Sequence, residues 1–489
     1  MRIPIQLPPG LYRNGTAYQS KGRYYAANLV RFYEGSIRPF GGWRTHSTST
    51  LTGAARAIIS WTDNSALTWA GIGTHSHLFM MSRTGTLFDV TPTAFAAGRA
   101  DAVAGGGYGA DDFGSDSYGT PRPDTSLIQD ASVWSLDTWG QYLIGCMADD
   151  GKIYQWSLNT SVVAVPVANA PTARAVVVTE QRILMALGAN GNPRAVAWSD
   201  QEDNTDWTAS ATNQAGDFNL QTNGRLMLGR RIRGGTLLWT DLDVHLATYT
   251  ADQFVYGFTK LADSCGAISQ NCAAVIDART VWMGRSGFWI HDGYVDALPC
   301  DVSDAVFTNL NAQQISKVTC VVNSAFGEVV WYYPSAQATE NDSYVLWNYR
   351  ENHWNIGSLS RLCGVDRGSF AYPLLCDALG NVYDHEVGFD YGGAMPFLEG
   401  GPFELGNGDD VVSAQWLIPD DKTVGDVTAT FIVRFEPDDT DTAFGPYTLS
   451  ERTDVRFEGR QVNLRFDGAA LADWRIGVPR LDVIAGGER

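Results

Sequence analysis

Four segments of this chain share one skeleton, and no other feature of the sequence restricts its fold as much. They are VWMGRSGFWIHDG (residues 281–293), LFMMSRTGTLFDV (78–90), YLIGCMADDGKIYQW (142–156) and YPLLCDALGNVYDHE (372–386). Each has an apolar run, a polar turn ending in glycine (Gly85, Gly151, Gly287, Gly380), one variable residue and then two bulky residues. A turn glycine tolerates positive φ, and alternating bulky residues mark a half-buried strand, so each segment reads as a β-hairpin. The interval from Gly151 to Gly287 is about twice that from Gly85 to Gly151, and a weaker copy, AGDFNLQT with Gly216, falls between. Such recurrence predicts an all-β chain carrying a β-propeller of about six blades. The intervals exceed the ~40–50 residues of a usual blade, so either the loops are long or one interval spans more than one blade. A β-sandwich also makes hairpins, but without this near-regular spacing.

The 489 residues are too many for a single hydrophobic core. Residues 1–50 form a Tyr-rich, basic N-terminal arm with FYEGSIRPFGGW (32–43) as a hairpin, and residues 51–395 hold the propeller. Within it, the Gly-rich acidic stretch 104–124 reads as a long exposed loop. Residues 396–409 read as a linker, and 410–489 as a C-terminal β-domain of longer alternating strands, to which the arm is a candidate contributor. Trp331, Tyr333, Trp347 and Trp354 alternate along two strands and are expected to pack between blades.

The net charge is −19, which sets the bulk surface against nucleic acid and anionic membrane. The arm runs the other way: Arg2, Arg13, Lys21, Arg23, Arg31, Arg38 and Arg44 face Glu34 alone within residues 1–44. Such a segment is either solvated or docks on an acidic neighbour, such as another copy of the chain. In the docking reading, deleting residues 1–44 abolishes assembly and leaves the propeller folded. Seven cysteines without a CxxC fit free thiols in a reducing compartment. The opening MRIPIQLPPG has no apolar signal region and no run is long enough to span a bilayer, so a soluble protein made in the cytoplasm is expected.

Catalytic patterns are missing: no P-loop, GxSxG or HExxH occurs. His75 and His77 lie two apart on a strand with no further ligand at diagnostic spacing, so a surface strand is favoured over a metal site. MADDGK (147–152) departs from calcium and Asp-box loops. The expectation is a non-enzyme with no cofactor and no metal. GRRIRGG (229–235) is the one dense basic cluster of the body, and ion pairing is favoured there over contact with DNA phosphate.

Longer phrases carry a resemblance. AWSDQEDNTDWTASATNQAGDFNLQTNGRLMLGRRIRGGTLLWTD (197–241) and QFVYGFTKLADSCGAISQNCAAVIDARTVWMGRSGFWIHDG (253–293) resemble the tail hub, or nozzle, proteins of short-tailed bacteriophages. YGTPR (118–122) and RFEGRQVNLRFDGAALADWRIGVPRLDV (456–483) continue the likeness. The resemblance implies a virion tail protein, made in the host bacterium, with a β-propeller. It further implies a homohexameric ring below the adaptor of the head-to-tail connector, an attachment point for tail fibre or needle proteins, and a conduit for double-stranded DNA without sequence-specific binding. It transfers no catalytic residue and assigns no side chain to the lumen. A glycan-binding or glycan-cleaving propeller at the tail tip is the competing reading. For subunit contacts the expected residues are Arg13, Arg31 and Trp43 in the arm, then Arg460, Trp474 and Arg475 in the C-terminal strands.

Overall fold

The computed structural model describes residues 1–107, 122–405, 411–419, 424–436 and 439–486. Most of the Gly-rich stretch 104–124 therefore lies outside the described residues. Strands dominate, and the hairpins expected from the sequence assemble into a β-propeller. Among the described residues it has seven four-stranded antiparallel blades: 55–89, 134–166, 175–219, 226–263, 273–298, 319–358, and 363–385 completed from elsewhere in the chain. Neighbouring inner strands pack around one axis, and Cys363–Val365 of blade 7 returns beside Ala55–Thr62 of blade 1.

Seven blades replace the expected six or so because the four glycine hairpins are not equivalent. Gly85 joins the third and fourth strands of blade 1, whereas Gly151, Gly287 and Gly380 join the second and third strands of blades 2, 5 and 7. The interval from Gly151 to Gly287 thus spans three blades of ordinary length. The long step is from blade 1 to blade 2, where residues 90–133 intervene. Gly85, Gly151 and Gly380 have φ of +84°, +71° and +85°, as the turn reading requires. Gly287 does not adopt a positive φ and has no atom within 4 Å of where a Cβ would sit, so its turn closes without needing glycine.

The aromatic residues join blades. Trp134 at the start of blade 2 donates its indole N–H to Thr74 O of blade 1 at 2.7 Å, and Trp331 of blade 6 donates to Cys272 O at 2.8 Å. Phe288, from the VWMGRSGFWIHDG hairpin of blade 5, packs on Trp331 and Trp354 of blade 6 at 4.9 and 4.7 Å. Trp331, Tyr333, Trp347 and Trp354 are all buried. Each such side chain contributes ~1.5–3 kcal/mol by leaving water, and the indole hydrogen bonds fix where it sits.

The domain boundaries differ from those read in the sequence. Trp43–Thr45 pairs antiparallel with Val382–His385 and is the fourth strand of blade 7, so the propeller is closed by the N-terminal segment. Asp384 secures that joint, accepting from Arg44 Nε at 3.1 Å and lying 2.9 Å from His46 Nδ1. The expectation that residues 1–44 can be removed without harm to the propeller is thereby corrected.

The other end of the arm enters a β-sandwich. Arg2–Pro4 pairs with Arg480–Ala485, which continues through Val412–Ile418 to Thr453–Gly459. The facing sheet runs Tyr24–Asn28, Phe397–Gly400, Gln461–Gly468, Val427–Arg434, Thr442–Thr448. Alternating burial along Val427–Arg434 and Thr453–Gly459 places Phe431 and Phe457 between the sheets, ring centroids 4.7 Å apart. Residues 396–409 are not a linker in their first part, since Phe397–Gly400 and Phe403–Glu404 are strands of this sheet.

Candidate functional site: the propeller axis

Inner strands of the blades are rich in small residues where they meet, and this sets the width of the channel they enclose. At Gly229 a Cβ would stand 2.7 Å from Val177 Cγ1 of the next blade, so glycine lets blades 3 and 4 close up. The result is a cavity of about 320 Å³ on the axis, lined by residues from inner strands around the ring, among them Val177, Gly229, Cys320 and Gly364. That is the volume of a small-ligand pocket, far too little for a nucleic acid duplex.

One end of the channel is capped. Gln270 and Asn271, which precede blade 5, reach across the axis. Asn271 Nδ2 donates to Arg56 O of blade 1 at 3.1 Å and to Trp134 O of blade 2 at 3.3 Å. Gln270 Nε2 donates to Arg174 O, beside blade 3, at 3.0 Å. Asn271 O accepts from Cys320 N of blade 6 at 2.7 Å. A two-residue segment therefore ties five blades together at the centre.

The channel polarity comes from GRRIRGG. Leu226–Ile232 is the inner strand of blade 4, and it carries Arg230 and Arg231 into the channel end opposite the cap, with exposed Arg233 at the following turn. Arg231 Nη2 donates to Asp137 Oδ1 of blade 2 at 3.0 Å. The remaining capacity of Asp137 serves the backbone, with Oδ2 accepting from Val178 N and Oδ1 from Thr138 N, both at 2.8 Å. Arg230 has no such partner: Nη1 donates to Gly229 O at 3.1 Å, and no carboxylate among the described residues lies within 4.0 Å of it. Burial pushes its guanidinium pKa down, with Asp137 acting against that from a distance. Ion pairing was the reading favoured for this cluster, and it holds for Arg231 but not for Arg230.

The other residues singled out in the sequence are dispersed. Arg31 is 2 % exposed and lies between two carboxylates of the propeller. Its Nε and Nη2 donate to Glu328 Oε1 and Oε2 at 2.9 and 3.0 Å, and its Nη1 donates to Glu386 Oε2 at 2.8 Å. Phe326 covers its face at 3.7 Å. Trp474 is 1 % exposed inside the sandwich lobe. Neither reaches a surface, which corrects their assignment as subunit contacts; the arm is held by its own chain. Trp43 is half-buried, stacked on His385 at 5.4 Å with Arg361 over it at 4.7 Å. Arg460 Nη1 donates to Glu436 at 2.7 Å. Arg13, over Tyr25 at 4.3 Å, and Arg475, 3.3 Å from Asp473, keep part of their surface in solvent. His75 Nδ1 accepts from Ala54 N, ahead of the first strand of blade 1, at 3.0 Å, and His77 Nδ1 is 2.8 Å from Ser76 Oγ in its own turn, so both rings are engaged locally. Among the described residues no group of three or more His, Cys, Asp or Glu is placed to hold a metal ion, and no helix is long and apolar enough to cross a membrane.

No family model and no curated protein sequence matches the chain. Solved structures do match in shape. A streptogramin B lyase structure aligns over 70 % of this chain and 96 % of its own, with 7 % identity and a TM-score of 0.39. The Neurospora crassa Pan2 WD40 domain aligns over 72 % and 95 %, with 8 % identity and a TM-score of 0.40. The N-terminal domain of Nup159 aligns over 77 % and 98 %, with 8 % identity and a TM-score of 0.38. Identities this low transfer neither activity nor partners.

Proposed function

We propose that this protein is a structural subunit of the tail nozzle of a short-tailed bacteriophage, a homohexameric ring below the adaptor that conducts the genome and carries other tail parts. The supporting observation is where the phage-like phrases fall. Residues 197–241 and 253–293 run through blades 3, 4 and 5, and residues 456–483 supply strands of the sandwich, so the resemblance spans both lobes.

The narrow, capped axis gives this reading a definite form. DNA has no route through one propeller, so in this reading the conduit lies between the subunits of the ring. A chain of net charge −19 suits a wall that repels the phosphate backbone and lets the duplex slide. Arg13, Arg460 and Arg475 are the arginines of the expected contact set that keep part of their surface exposed for a neighbouring subunit or the adaptor.

Electron microscopy of the purified protein, alone and mixed with its adaptor, tests the proposal. The expected image is a six-fold ring with a hole of duplex width. A protein that stays monomeric with the adaptor present overturns it. Cleavage of host polysaccharide, abolished by one carboxylate substitution, would favour the tail-tip glycan reading instead.

A further inference from the structure

We propose that the propeller axis is a binding site for a small oxyanion, a phosphate or carboxylate group, with Arg230 as its direct ligand. This inference is independent of the nozzle proposal, since it rests on one propeller and not on the ring.

The channel has the volume of a ligand site, about 320 Å³. It is capped by Gln270 and Asn271 at one end, so a ligand reaches it from the other, where Arg231 stands. Arg230 presents a guanidinium whose neutralisation the protein does not provide. The carboxylate nearest in the channel, Asp137, is committed to Arg231, Val178 N and Thr138 N. Two other cations beside the axis are given a counter-charge: Arg56 donates to both oxygens of Glu340 at 2.6 and 2.7 Å, and Lys317 Nζ donates to Asp101 at 2.5 Å and Glu340 at 3.1 Å. Arg230 is partly open to the channel, and its planar fork of N–H donors, with no carboxylate among the described residues within 4.0 Å, is the group that recognises carboxylate and phosphate. The missing partner is therefore an anion from solution. It must be small, both because of the volume and because the acidic surface repels extended polyanions.

The test is titration of the full chain with inorganic phosphate at constant ionic strength, followed by calorimetry and by ³¹P line width. Saturable binding of one phosphate per chain is expected. Arg230→Gln weakens it about tenfold or more, the loss that removal of one charge-assisted contact produces. Arg233→Gln, which removes the same charge from the exposed turn, changes it less than about twofold by screening. General stabilisation by phosphate as an excluded salt acts equally on all three proteins and separates itself in that way. Absence of saturable binding, or equal binding by Arg230→Gln, overturns the site. If Arg230→Gln does not fold, Asp137→Asn carries the test: it releases Arg231 to the channel and tightens binding, and unchanged or weaker binding overturns the site.

Discussion

Two arginines, Arg31, which is buried, and Arg230, which is partly open to the axial channel, are treated by the protein in opposite ways. Arg31, on the N-terminal hairpin, is gripped by Glu328 of blade 6 and Glu386 just beyond blade 7, with Asn323 Nδ2 and Gly41 N donating to Glu386 at 3.0 and 2.8 Å. Every direction around its guanidinium is filled from a distant part of the chain. Arg230 lies on the axis with one backbone oxygen for company. The first arrangement fastens the arm to the propeller, where its attraction for two carboxylates outweighs burial and raises its pKa. The second gives the fold a single backbone hydrogen bond and no ion pair among the described residues. A buried charge that is fully paired marks structure, and a cation left without a carboxylate on an open channel is free to take an anion from solution.

The contrast breaks first at Arg31. Arg31→Met leaves Glu328 and Glu386 facing each other without a counter-charge, and the expected loss is ~3–5 kcal/mol of unfolding free energy. Guanidinium denaturation of the variant, with its midpoint falling well below that of the parent, is the measurement. A loss under ~1 kcal/mol would mean that the two carboxylates are solvated and the cluster does not hold the arm.

A pH dependence follows from the same cluster. Burial, with the charge of Glu386, outweighs the help of Arg31 and raises the Glu328 carboxyl from 4.5 to about 7. The folded protein therefore binds a proton here more tightly than the unfolded chain. Stability from this group is complete below pH ~4.5 and is lost as pH rises through about 7. Glu328→Gln removes that slope. Comparison of denaturation midpoints at pH 5 and pH 7.5 should show the parent losing ground to the variant, and parallel behaviour would place the proton elsewhere.

The sequence carried the propeller because its hairpins are local: an apolar run, a turn and a second run declare themselves within about a dozen residues. The sandwich strands were legible for a similar reason, as TDVRFEG and VTATFIVR alternate strictly and bury every second residue. What escaped was decided over hundreds of residues. WRT at 43–45 is too short to read as a strand, and only its pairing with Val382–His385 makes it the closing strand of blade 7. The basic arm looked like an assembly element because its counter-charges, Glu328 and Glu386, are about three hundred residues away. Asn271 gave no signal at all, since its role depends on three blades converging. Of GRRIRGG, the charge was visible but not the placement. The strand period puts Arg230 and Arg231 on different sides, yet at the axis both reach the channel.

Asp137→Asn removes the carboxylate of a pair whose arginine is 45 % exposed, so solvent screening limits the loss. An asparagine oxygen can still accept from Val178 N, and ~1 kcal/mol of destabilisation is expected. Arg230→Gln should cost still less without added anion, ~0–0.5 kcal/mol in either direction, because it deletes a partly exposed charge held by one backbone hydrogen bond and no ion pair among the described residues. The measurement is the denaturation midpoint of each protein in chloride alone and again with phosphate. In chloride Arg230→Gln and the parent coincide; with phosphate the parent gains by mass action and the variant does not. A large loss for Arg230→Gln in chloride would show that the axis is held together by this arginine, and the distinction between the two would fall.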